Sequence, residues 1–368
     1  MSKIEIRNVS KNFGRVKALQ DVSIDINEGE YIVILGPSGC GKTTLLNIIS
    51  GVIKPSNGTV LFDNKEVTDL IPSERQLSYV FQNIALFPHK NAWENVSYSP
   101  TVRDLPSSEI KKVTETALEE TDSLDLKDFY PESLPSGFQQ KISISRALAR
   151  QASIMILDEP ISDLDPEVRA KLRYKLRSIV KKLGLTAIHV THDQEIALTV
   201  ADRILLMKKG QIVRFVSPQE MYGFPISLFE AFFIGQGNFL EGYVRNQTEN
   251  ELHIRLRREK DIIVRKQLYF PSFENGQAIV VFSRPENTLI SKSEIKNSIK
   301  GVIKNKSYMG SYYHYEITTV SEDTVIIDVL IIKEPFQISD EVYIRFKQNS
   351  TLLFELPRYG LLEELSLE

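Results

Sequence analysis

The segment that most constrains the fold of this chain is residues 36–43, which read Gly-Pro-Ser-Gly-Cys-Gly-Lys-Thr. They match the phosphate-loop pattern G-x-x-x-x-G-K-[ST], in which glycines let the backbone curl so that successive N–H groups point at phosphate oxygens. The apolar run Tyr31–Leu35 precedes the loop and predicts a buried strand. Residues 43–50 follow with apolar side chains at helical spacing. The loop is therefore predicted to join a strand to a helix N-terminus, where a triphosphate site needs it.

Each residue type in this loop has a predicted role in holding a triphosphate. The Lys42 ammonium can reach the β- and γ-phosphates, and the Thr43 hydroxyl can ligate Mg²⁺. Cys40 occupies a variable position of the pattern, so we expect a small packed side chain without chemistry. The predicted nucleotide-binding residues of the loop are Gly36, Pro37, Ser38, Gly39, Cys40, Gly41, Lys42, Thr43 and Thr44.

Two further apolar runs, residues 154–157 and 187–190, predict more strands of the same sheet. Between them, residues 166–183 place apolar side chains at spacings of three and four. Asp165 is a candidate N-cap of this helix and Gly184 a candidate stop. Strands that alternate with such helices imply an α/β fold, with a mostly parallel sheet covered on both faces.

Two changes of pattern divide the rest of the chain. Residues 88–150 contain helices predicted around 107–121 and after Gln139 without a strong strand between them, which indicates a helical subdomain. From residue 239 onward, apolar and polar residues alternate with the period of half-buried strands. The clearest alternating sets are Leu252, Ile254, Leu256 and Val342, Ile344, Phe346. We therefore predict a nucleotide-binding domain over 1–238 and a β-rich domain of small barrels over 239–368.

Polar residues follow three of the strands, at the edge where the loop lies. Asp158 can orient Mg²⁺ directly or through water, and its neighbour Glu159 can polarise the attacking water. Gln82 could sense the metal and the water, while His192 could hold the γ-phosphate or orient Glu159. A solvated strand end is the alternative for the acidic pair, but the phosphate loop favours a catalytic site. The predicted catalytic residues are Glu159, His192, Gln82 and Lys42, and the predicted metal ligands are Thr43, Gln82 and Asp158.

The order of these motifs resembles the ATP-binding subunit of ATP-binding-cassette (ABC) transporters over the whole chain, and most nearly the cytoplasmic ATPases of binding-protein-dependent importers. On this resemblance Gln82 lies in the Q-loop and Glu159 is the catalytic glutamate. Residues 162–165, Ser-Asp-Leu-Asp, match the D-loop, and His192 matches the switch histidine. Phe13 falls where the family has an aromatic that stacks on adenine. A buried core aromatic is the alternative for Phe13.

The resemblance also implies an architecture, cofactors and partners. It implies a P-loop NTPase sheet with a helical subdomain, an all-β OB-like regulatory domain, and ATP with Mg²⁺ as cofactors. Residues 233–240 and 283–286 look like the joining segment and a recurring element of that regulatory domain. The implied partners are a second ATPase subunit in a homodimer or pseudo-dimer, two integral membrane permease subunits and an extracellular solute-binding protein. Residues 84–89 fall in the groove for a permease coupling helix, which implies the cytoplasmic face of the membrane.

The signature motif is where the chain departs from the family. The family reads Leu-Ser-Gly-Gly-Gln, whereas residues 134–138 read Leu-Pro-Ser-Gly-Phe. In the family, this segment of one subunit caps the γ-phosphate held by the other. Pro135 has neither an N–H nor a hydroxyl and Phe138 has no amide, so Ser136 and Gly137 are the predicted donors that remain. We predict slower hydrolysis than the family norm, or a partner subunit with an intact signature. A binding module without ATPase activity is a further alternative.

An alternative function class is a soluble regulatory or nucleic-acid-binding ATPase, and the composition of the chain bears on it. The net charge of −3 and the pI of ≈ 6.1 argue against a large polyanion-binding surface, so no nucleic-acid partner is expected. A basic cluster is present, although a solvated strand face is its more common origin; its members are Arg255, Arg257, Arg258, Lys260, Arg265 and Lys266. The chain has no apolar run of about 18 residues and no signal-peptide pattern, so we expect a cytoplasmic location. Which of the family's solutes (sugars, polyamines, ferric iron or sulfate) is imported does not follow from these residues.

Overall fold

The structure is a computed structural model that describes residues 2–257, 260–267, 272–331 and 336–365. The chain divides into two compact units, Met1–Gln219 and Glu220–Glu368. The strands of the first unit are β1 (Ile4–Phe13), β2 (Val16–Ile26), β3 (Tyr31–Leu35), β4 (Asn57–Phe62), β5 (Lys65–Glu66), β6 (Leu77–Val80), β7 (Ile154–Asp158), β8 (Thr186–Val190), β9 (Arg203–Lys208) and β10 (Gln211–Val216). Its helices are α1 (Lys42–Ser50), α2 (Ala92–Val102), α3 (Ser107–Glu120), α4 (Ser136–Ala149), α5 (Pro166–Leu183) and α6 (Gln194–Val200).

A six-stranded sheet positions the phosphate loop. Its strand order is β10-β9-β3-β8-β7-β6, and every neighbouring pair is parallel except β10 with β9. All residues of β3 and β8 are buried, as expected for central strands covered on both faces. The α/β prediction is confirmed. Because β3, β7 and β8 are parallel, their carboxyl ends bring the loop, Asp158 and the residues after Val190 to one edge of the sheet.

A second, antiparallel sheet lies in the N-terminal part, where the sequence analysis had predicted no strands. Its order is β2-β1-β4-β5. Ile4, Ile6 and Val9 of β1 enter a core that also contains Leu45 and Ile49 of α1. The β1–β2 pair has three register shifts, and each one displaces the alternation of buried and exposed side chains. The alternation of apolar and polar residues is therefore interrupted within these strands, which weakens their period-two pattern in the sequence.

The predicted ends of α1 and α5 are confirmed, apart from one capping interaction. Gly51 and Gly184 follow these helices with φ of +82° and +64°, the left-handed conformation typical of a helix stop. Asp165 is the N-cap residue of α5, as predicted, but its side chain makes no capping hydrogen bond. Its carbonyl oxygen accepts from the Arg169 N–H at 2.8 Å instead. Among the described residues, no helix combines the length and the apolar character that crossing a bilayer requires.

Helices α2, α3 and α4 form the helical subdomain predicted within residues 88–150. They bury a cluster of their own, which includes Val96, Leu118 and Ile142. Helices α3 and α4 correspond to the two predicted helices. Helix α2 has no counterpart among the predicted helices, because Pro100 lies inside its last turn and proline ordinarily ends a helix.

The second unit is built mainly from two five-stranded antiparallel sheets, of order β13-β12-β11-β14-β20 and β15-β19-β16-β17-β18. These strands are β11 (Asn238–Gln247), β12 (Glu251–Leu256), β13 (Asp261–Arg265), β14 (Ala278–Ser283), β15 (Thr288–Ser291), β16 (Ile299–Tyr308), β17 (Tyr312–Thr319), β18 (Thr324–Leu330), β19 (Glu341–Phe346) and β20 (Leu352–Glu355). Short helices accompany them, α7 (Pro218–Gly223), α8 (Leu228–Phe233) and α9 (Leu361–Leu365). Both sheets contribute to one core, with Val244, Ile254, Ile317 and Ile344 among its members. The prediction of a β-rich, OB-like C-terminal fold is confirmed.

The segment before β11 packs within this second unit. Ala231 of α8 is buried together with Phe282. Arg284 is 3% exposed, and its Nη1 donates to the carbonyl oxygens of Ala231 at 3.0 Å and Gly235 at 3.1 Å. Because a buried guanidinium needs such acceptors, Arg284 ties α8 and the residues after it to β14. The unit therefore begins before residue 238, where the change of sequence pattern had indicated a boundary.

A buried histidine in the central sheet predicts sensitivity of the fold to acid. His189 of β8 is 1% exposed, and its Nδ1 lies 3.0 Å from the Tyr31 hydroxyl. Burial lowers its pKa to about 3, so the folded chain keeps the ring neutral where the unfolded chain, with a pKa of about 6.5, takes up a proton. Protonation of His189 in the unfolded chain should therefore lower the free energy of unfolding by about 1.4 kcal/mol per pH unit as the pH drops from ~6 towards ~3.

The variant His189→Gln is expected to reduce the pH dependence of the unfolding free energy by one proton in this range, as measured by urea unfolding at several pH values. Tyr31→Phe is the matched control, because it leaves the histidine buried and should keep the slope. An unchanged slope in His189→Gln would show that other groups cause the acid sensitivity.

Candidate functional site

The phosphate loop packs so closely that two of its positions require glycine. At Gly36, a Cβ atom would lie against neighbouring backbone and 2.7 Å from the Cys40 Sγ. At Gly41, whose φ is +106°, it would lie 2.6 Å from the carbonyl oxygen of Ala18. The loop ends at Lys42, the first residue of α1. The open N–H groups at the helix N-terminus therefore belong to the loop, where they favour an anion.

The Lys42 side chain is turned into the loop. It is 8% exposed, and its Nζ donates to the carbonyl oxygens of Gly36 at 2.8 Å and Pro37 at 3.0 Å. A lysine ammonium has three N–H donors, so one remains for an anion. The other side of the loop faces solvent: Ser38, Gly39 and Thr43 are exposed and Thr44 is half-buried. The loop therefore presents both donors and a hydroxyl to a ligand.

Cys40 is a packed side chain within the loop. It is 3% exposed and belongs to the same core as Leu45 and Ile49 of α1. Burial raises the pKa of its thiol, so the thiol stays protonated at neutral pH and is a poor nucleophile.

Asp158 lies at the end of β7, with its carboxylate partly buried. The hydroxyl of Tyr79, in the neighbouring strand β6, donates to Asp158 Oδ2 at 3.2 Å. Burial raises the pKa of the Asp158 carboxyl, while the hydrogen bond from Tyr79 opposes that rise. Tyr79 is not among the predicted site residues; its place three residues before Gln82 is the one sequence signal that could indicate it.

Glu159 and His192 meet at the same edge of the sheet. Glu159 Oε2 lies 3.0 Å from His192 Nδ1; the glutamate side chain is 17% exposed and the imidazole 61%. Glu159 has a φ of +45°, a left-handed conformation that costs a non-glycine residue about 1–3 kcal/mol. Its N–H donates to the carbonyl oxygen of Val190 at 2.9 Å, which holds it there. Backbone strain that orients a carboxylate towards an exposed imidazole is typical of a functional site rather than a solvated strand end.

Phe13 and Gln82 are at the surface. Phe13 ends β1 and is 50% exposed, with Lys11 Nζ 5.1 Å from the centroid of its ring. The alternative of a buried core aromatic is therefore wrong. Gln82 is exposed and follows Phe81, whose ring stacks on Tyr79 with 4.2 Å between centroids. Within the described ranges, no hydrogen bond or ion pair joins Phe13 or Gln82 to the phosphate loop.

The altered signature segment forms the N-terminus of α4. Pro135 is the N-cap residue and provides no side-chain hydrogen bond. Ser136 and Gly137 open the helix, so their N–H groups have no intrahelical partner. Gly137 lies so close to α5 that a Cβ atom there would be 2.9 Å from Cγ1 of Val168. Phe138 is 40% exposed. The segment therefore presents two open backbone donors beside an exposed aromatic ring.

Two members of the basic cluster pair with acidic side chains. Arg255 forms an ion pair with Asp261, and Lys260 lies 2.5 Å from Glu294. Arg258 lies outside the described residues. Cations neutralised along strand faces are what a solvated surface shows, and this arrangement does not favour a nucleic-acid site.

Sequence comparisons identify the two parts of the chain. The ABC transporter family matches residues 19–162, and the TOBE domain family matches residues 283–354. The spermidine/putrescine import ATP-binding protein PotA of Clostridium novyi (strain NT) is 36% identical over 321 residues, which cover 87% of this chain and 89% of that protein. The protein of the same name from Protochlamydia amoebophila (strain UWE25) is 37% identical over 322 residues, 85% of each chain.

Solved structures agree in fold. The protein cbiO1 of Clostridium perfringens, part of the ABC transporter complex cbiONQ, has a TM-score of 0.56 and 31% identity, covering 59% of this chain and 89% of its own. An ATP-binding cassette solved as a dimer with ADP and Pi, in a post-hydrolysis state, has a TM-score of 0.53 and 32% identity, covering 58% of this chain and 98% of its own. The chain thus belongs to the ABC transporter family, as an ATP-binding and ATP-hydrolysing import subunit with a C-terminal TOBE domain.

Proposed function

We propose that this import subunit powers the uptake of polyamines such as spermidine and putrescine. The relatives that match most of the chain are import proteins for those solutes. The observation that carries the catalytic part is the 3.0 Å contact between Glu159 and His192, at the sheet edge where the phosphate loop also lies. An acid–base pair beside a triphosphate cradle suits hydrolysis of the bond between the β- and γ-phosphates.

The loop residues hold the nucleotide. Lys42 and the N–H groups at the start of α1 bind the phosphate oxygens, and the close-packed glycines let the backbone approach them. Phe13, half-exposed at the end of β1, stacks on the adenine ring. Such stacking contributes about 1–3 kcal/mol per base.

The residues at the strand ends fit a magnesium ion. The exposed hydroxyl of Thr43, the amide of Gln82 and the carboxylate of Asp158 are the oxygen ligands that Mg²⁺ prefers. Burial raises the pKa of Asp158, and a divalent cation at its side would oppose that rise. When bound, Mg²⁺ supplies charge neutralisation at the phosphates.

Glu159 and His192 carry the proton transfer and the contact with the γ-phosphate. Glu159 orients the attacking water and accepts its proton at the carboxylate. His192 donates to the γ-phosphate through Nε2, because Nδ1 faces Glu159. Ser136 and Gly137 act on the nucleotide of the facing subunit, through the hydroxyl and the open N–H groups.

We propose the following partners. Two copies of the ATPase, or this chain and a related subunit, face each other with nucleotide between them. The related ATP-binding cassette solved as a dimer with ADP and Pi supports this arrangement. Two permease subunits in the membrane and an extracellular solute-binding protein complete the importer, with this chain at the cytoplasmic face. Closure of the ATPase dimer converts nucleotide binding into motion of the permease.

The test is uptake of labelled spermidine into vesicles that contain the complete importer. MgATP enclosed in the vesicles, on the side of the ATPase, should drive uptake of spermidine. Putrescine should compete with spermidine, and sulfate or sugars should not compete. Lys42→Ala should abolish both uptake and phosphate release, whereas Lys54→Ala, at an exposed lysine paired with Asp69, should leave both unchanged. ATP-dependent uptake of sulfate or a sugar in place of spermidine would contradict the solute, and absence of phosphate release would contradict the catalytic proposal.

A further inference from the structure

Helix α5 carries two arginines, one turn apart, that reach the segment after His192. Arg173 Nη1 lies 2.9 Å from Glu195 Oε1, and Arg169 Nη1 lies 3.7 Å from Asp193 Oδ2. Both carboxylates belong to the start of α6. Helix α5 therefore anchors the beginning of α6, which follows His192 directly.

Asp193 is itself built into the backbone beside His192. Its Oδ1 accepts from the Ile196 N–H at 3.1 Å and caps α6, and its own N–H donates to the Thr191 Oγ1 at 3.0 Å. The carboxylate thus caps α6 and also forms an ion pair with Arg169. A shift of Asp193 would shift the adjacent His192, because the two share a peptide bond.

The other amino group of Arg169 reaches the segment after Glu159. Arg169 Nη2 donates to the carbonyl oxygens of Ser162 at 2.8 Å and Leu164 at 3.0 Å. Ser162 in turn donates its N–H to the carbonyl oxygen of Glu159 at 3.4 Å. One planar guanidinium therefore joins the backbone that follows Glu159 to the side chain of Asp193, the residue after His192.

The hydrogen bonds of this segment are not complete within the chain. Among the described residues, the Ser162 Oγ and the Arg169 Nε are buried without a hydrogen-bond partner. A buried polar group without a partner is unfavourable, and in a native structure it calls for an explanation such as strain or a catalytic role. The Arg173 Nε is in the same state, so what distinguishes Arg169 is its contact with both residues 162–164 and Asp193.

We infer that Arg169 is a positioning residue for ATP hydrolysis. It touches neither Glu159 nor His192, and it acts by fixing residues 162–164 and Asp193 so that the 3.0 Å contact between Glu159 and His192 is kept during turnover. This inference rests on the proposed roles of these two residues. A lysine cannot replace Arg169, since an ammonium is a point donor and does not span two carbonyls and a carboxylate at fixed angles.

The test uses Arg169→Lys in the complete importer, with kcat, KM and the Kd of MgATP measured separately. We expect kcat to fall about 10- to 100-fold, the effect of a displaced catalytic group, while the Kd of MgATP stays within about twofold. Arg177→Lys is the matched control, because Arg177 lies two turns along α5 and pairs with Asp202, beyond the far end of α6, without contacting residues 162–164 or Asp193. We expect Arg177→Lys to keep kcat within about threefold.

A second variant separates positioning from fold stability. Asp193→Asn keeps a side chain that caps a helix but removes the charge facing Arg169. The double variant Arg169→Lys with Asp193→Asn should be no slower than Arg169→Lys alone, because both changes break one linkage. Full turnover in Arg169→Lys, or additive losses in the double variant, would overturn the inference. Absence of phosphate release from the unaltered chain would instead contradict the proposed function.

Discussion

Replacing Glu159 with glutamine is expected to stop turnover while leaving MgATP binding intact. Glutamine has the shape of glutamate, so it can occupy the same left-handed backbone position (φ +45°) beside Val190 and His192. Its amide cannot accept the proton of the attacking water, and general-base catalysis contributes about 10²- to 10⁴-fold to rate. Phosphate release should fall by that factor. On the proposal that ATP closes a dimer and hydrolysis reopens it, the MgATP-bound dimer should accumulate, as size-exclusion chromatography would show.

The matched control for this variant is Glu167→Gln in the first turn of α5. Glu167 has an exposed side chain that pairs with Lys171 at 2.7 Å, and an exposed pair of this kind contributes little. Glu167→Gln should therefore hydrolyse ATP at the unaltered rate. If Glu159→Gln hydrolysed ATP within about threefold of the unaltered rate, Glu159 would not be the general base, and another group would accept the proton.

The local parts of the site could be predicted from the sequence because each depends on a short segment. The phosphate loop needs glycine at positions 36 and 41, where a side chain would strike neighbouring atoms. Asp158 and Glu159 follow a strand whose apolar run is unbroken. The pairing of Glu159 with His192 was only one of two predicted roles for the histidine, since it depends on β7 and β8 being adjacent.

The contacts across the sheet could not be predicted in this way. Tyr79 reaches Asp158 across 79 positions of sequence. Arg169 holds residues 162–164 through carbonyl oxygens, which no residue type reveals. The strands β1 and β2 escaped prediction because register shifts disturb their alternation. In each case the information lies in which backbones become neighbours, and that follows from the tertiary fold.

Restoring two of the three altered positions of the family's signature is expected to accelerate hydrolysis. In the double variant Pro135→Ser with Phe138→Gln, the serine adds a hydroxyl at the N-cap of α4, next to the open N–H groups of Ser136 and Gly137. A hydrogen bond to a charged phosphate contributes about 1.5–3 kcal/mol, so turnover should rise about 10- to 100-fold if the bond forms in the transition state. Phosphate release from the complete importer measures the change.

Stabilisation of α4 is the competing explanation for such a gain, because a serine N-cap also stabilises a helix by about 1 kcal/mol. Pro135→Asp with Phe138→Gln separates the two effects. Aspartate caps α4 as well as serine does, but its negative charge would face the γ-phosphate of the opposite subunit and repel it. A gain with serine and none with aspartate would therefore assign the effect to phosphate contact. Equal turnover in all three proteins, or several turnovers per second in the unaltered homodimer, would show that Ser136 and Gly137 already suffice.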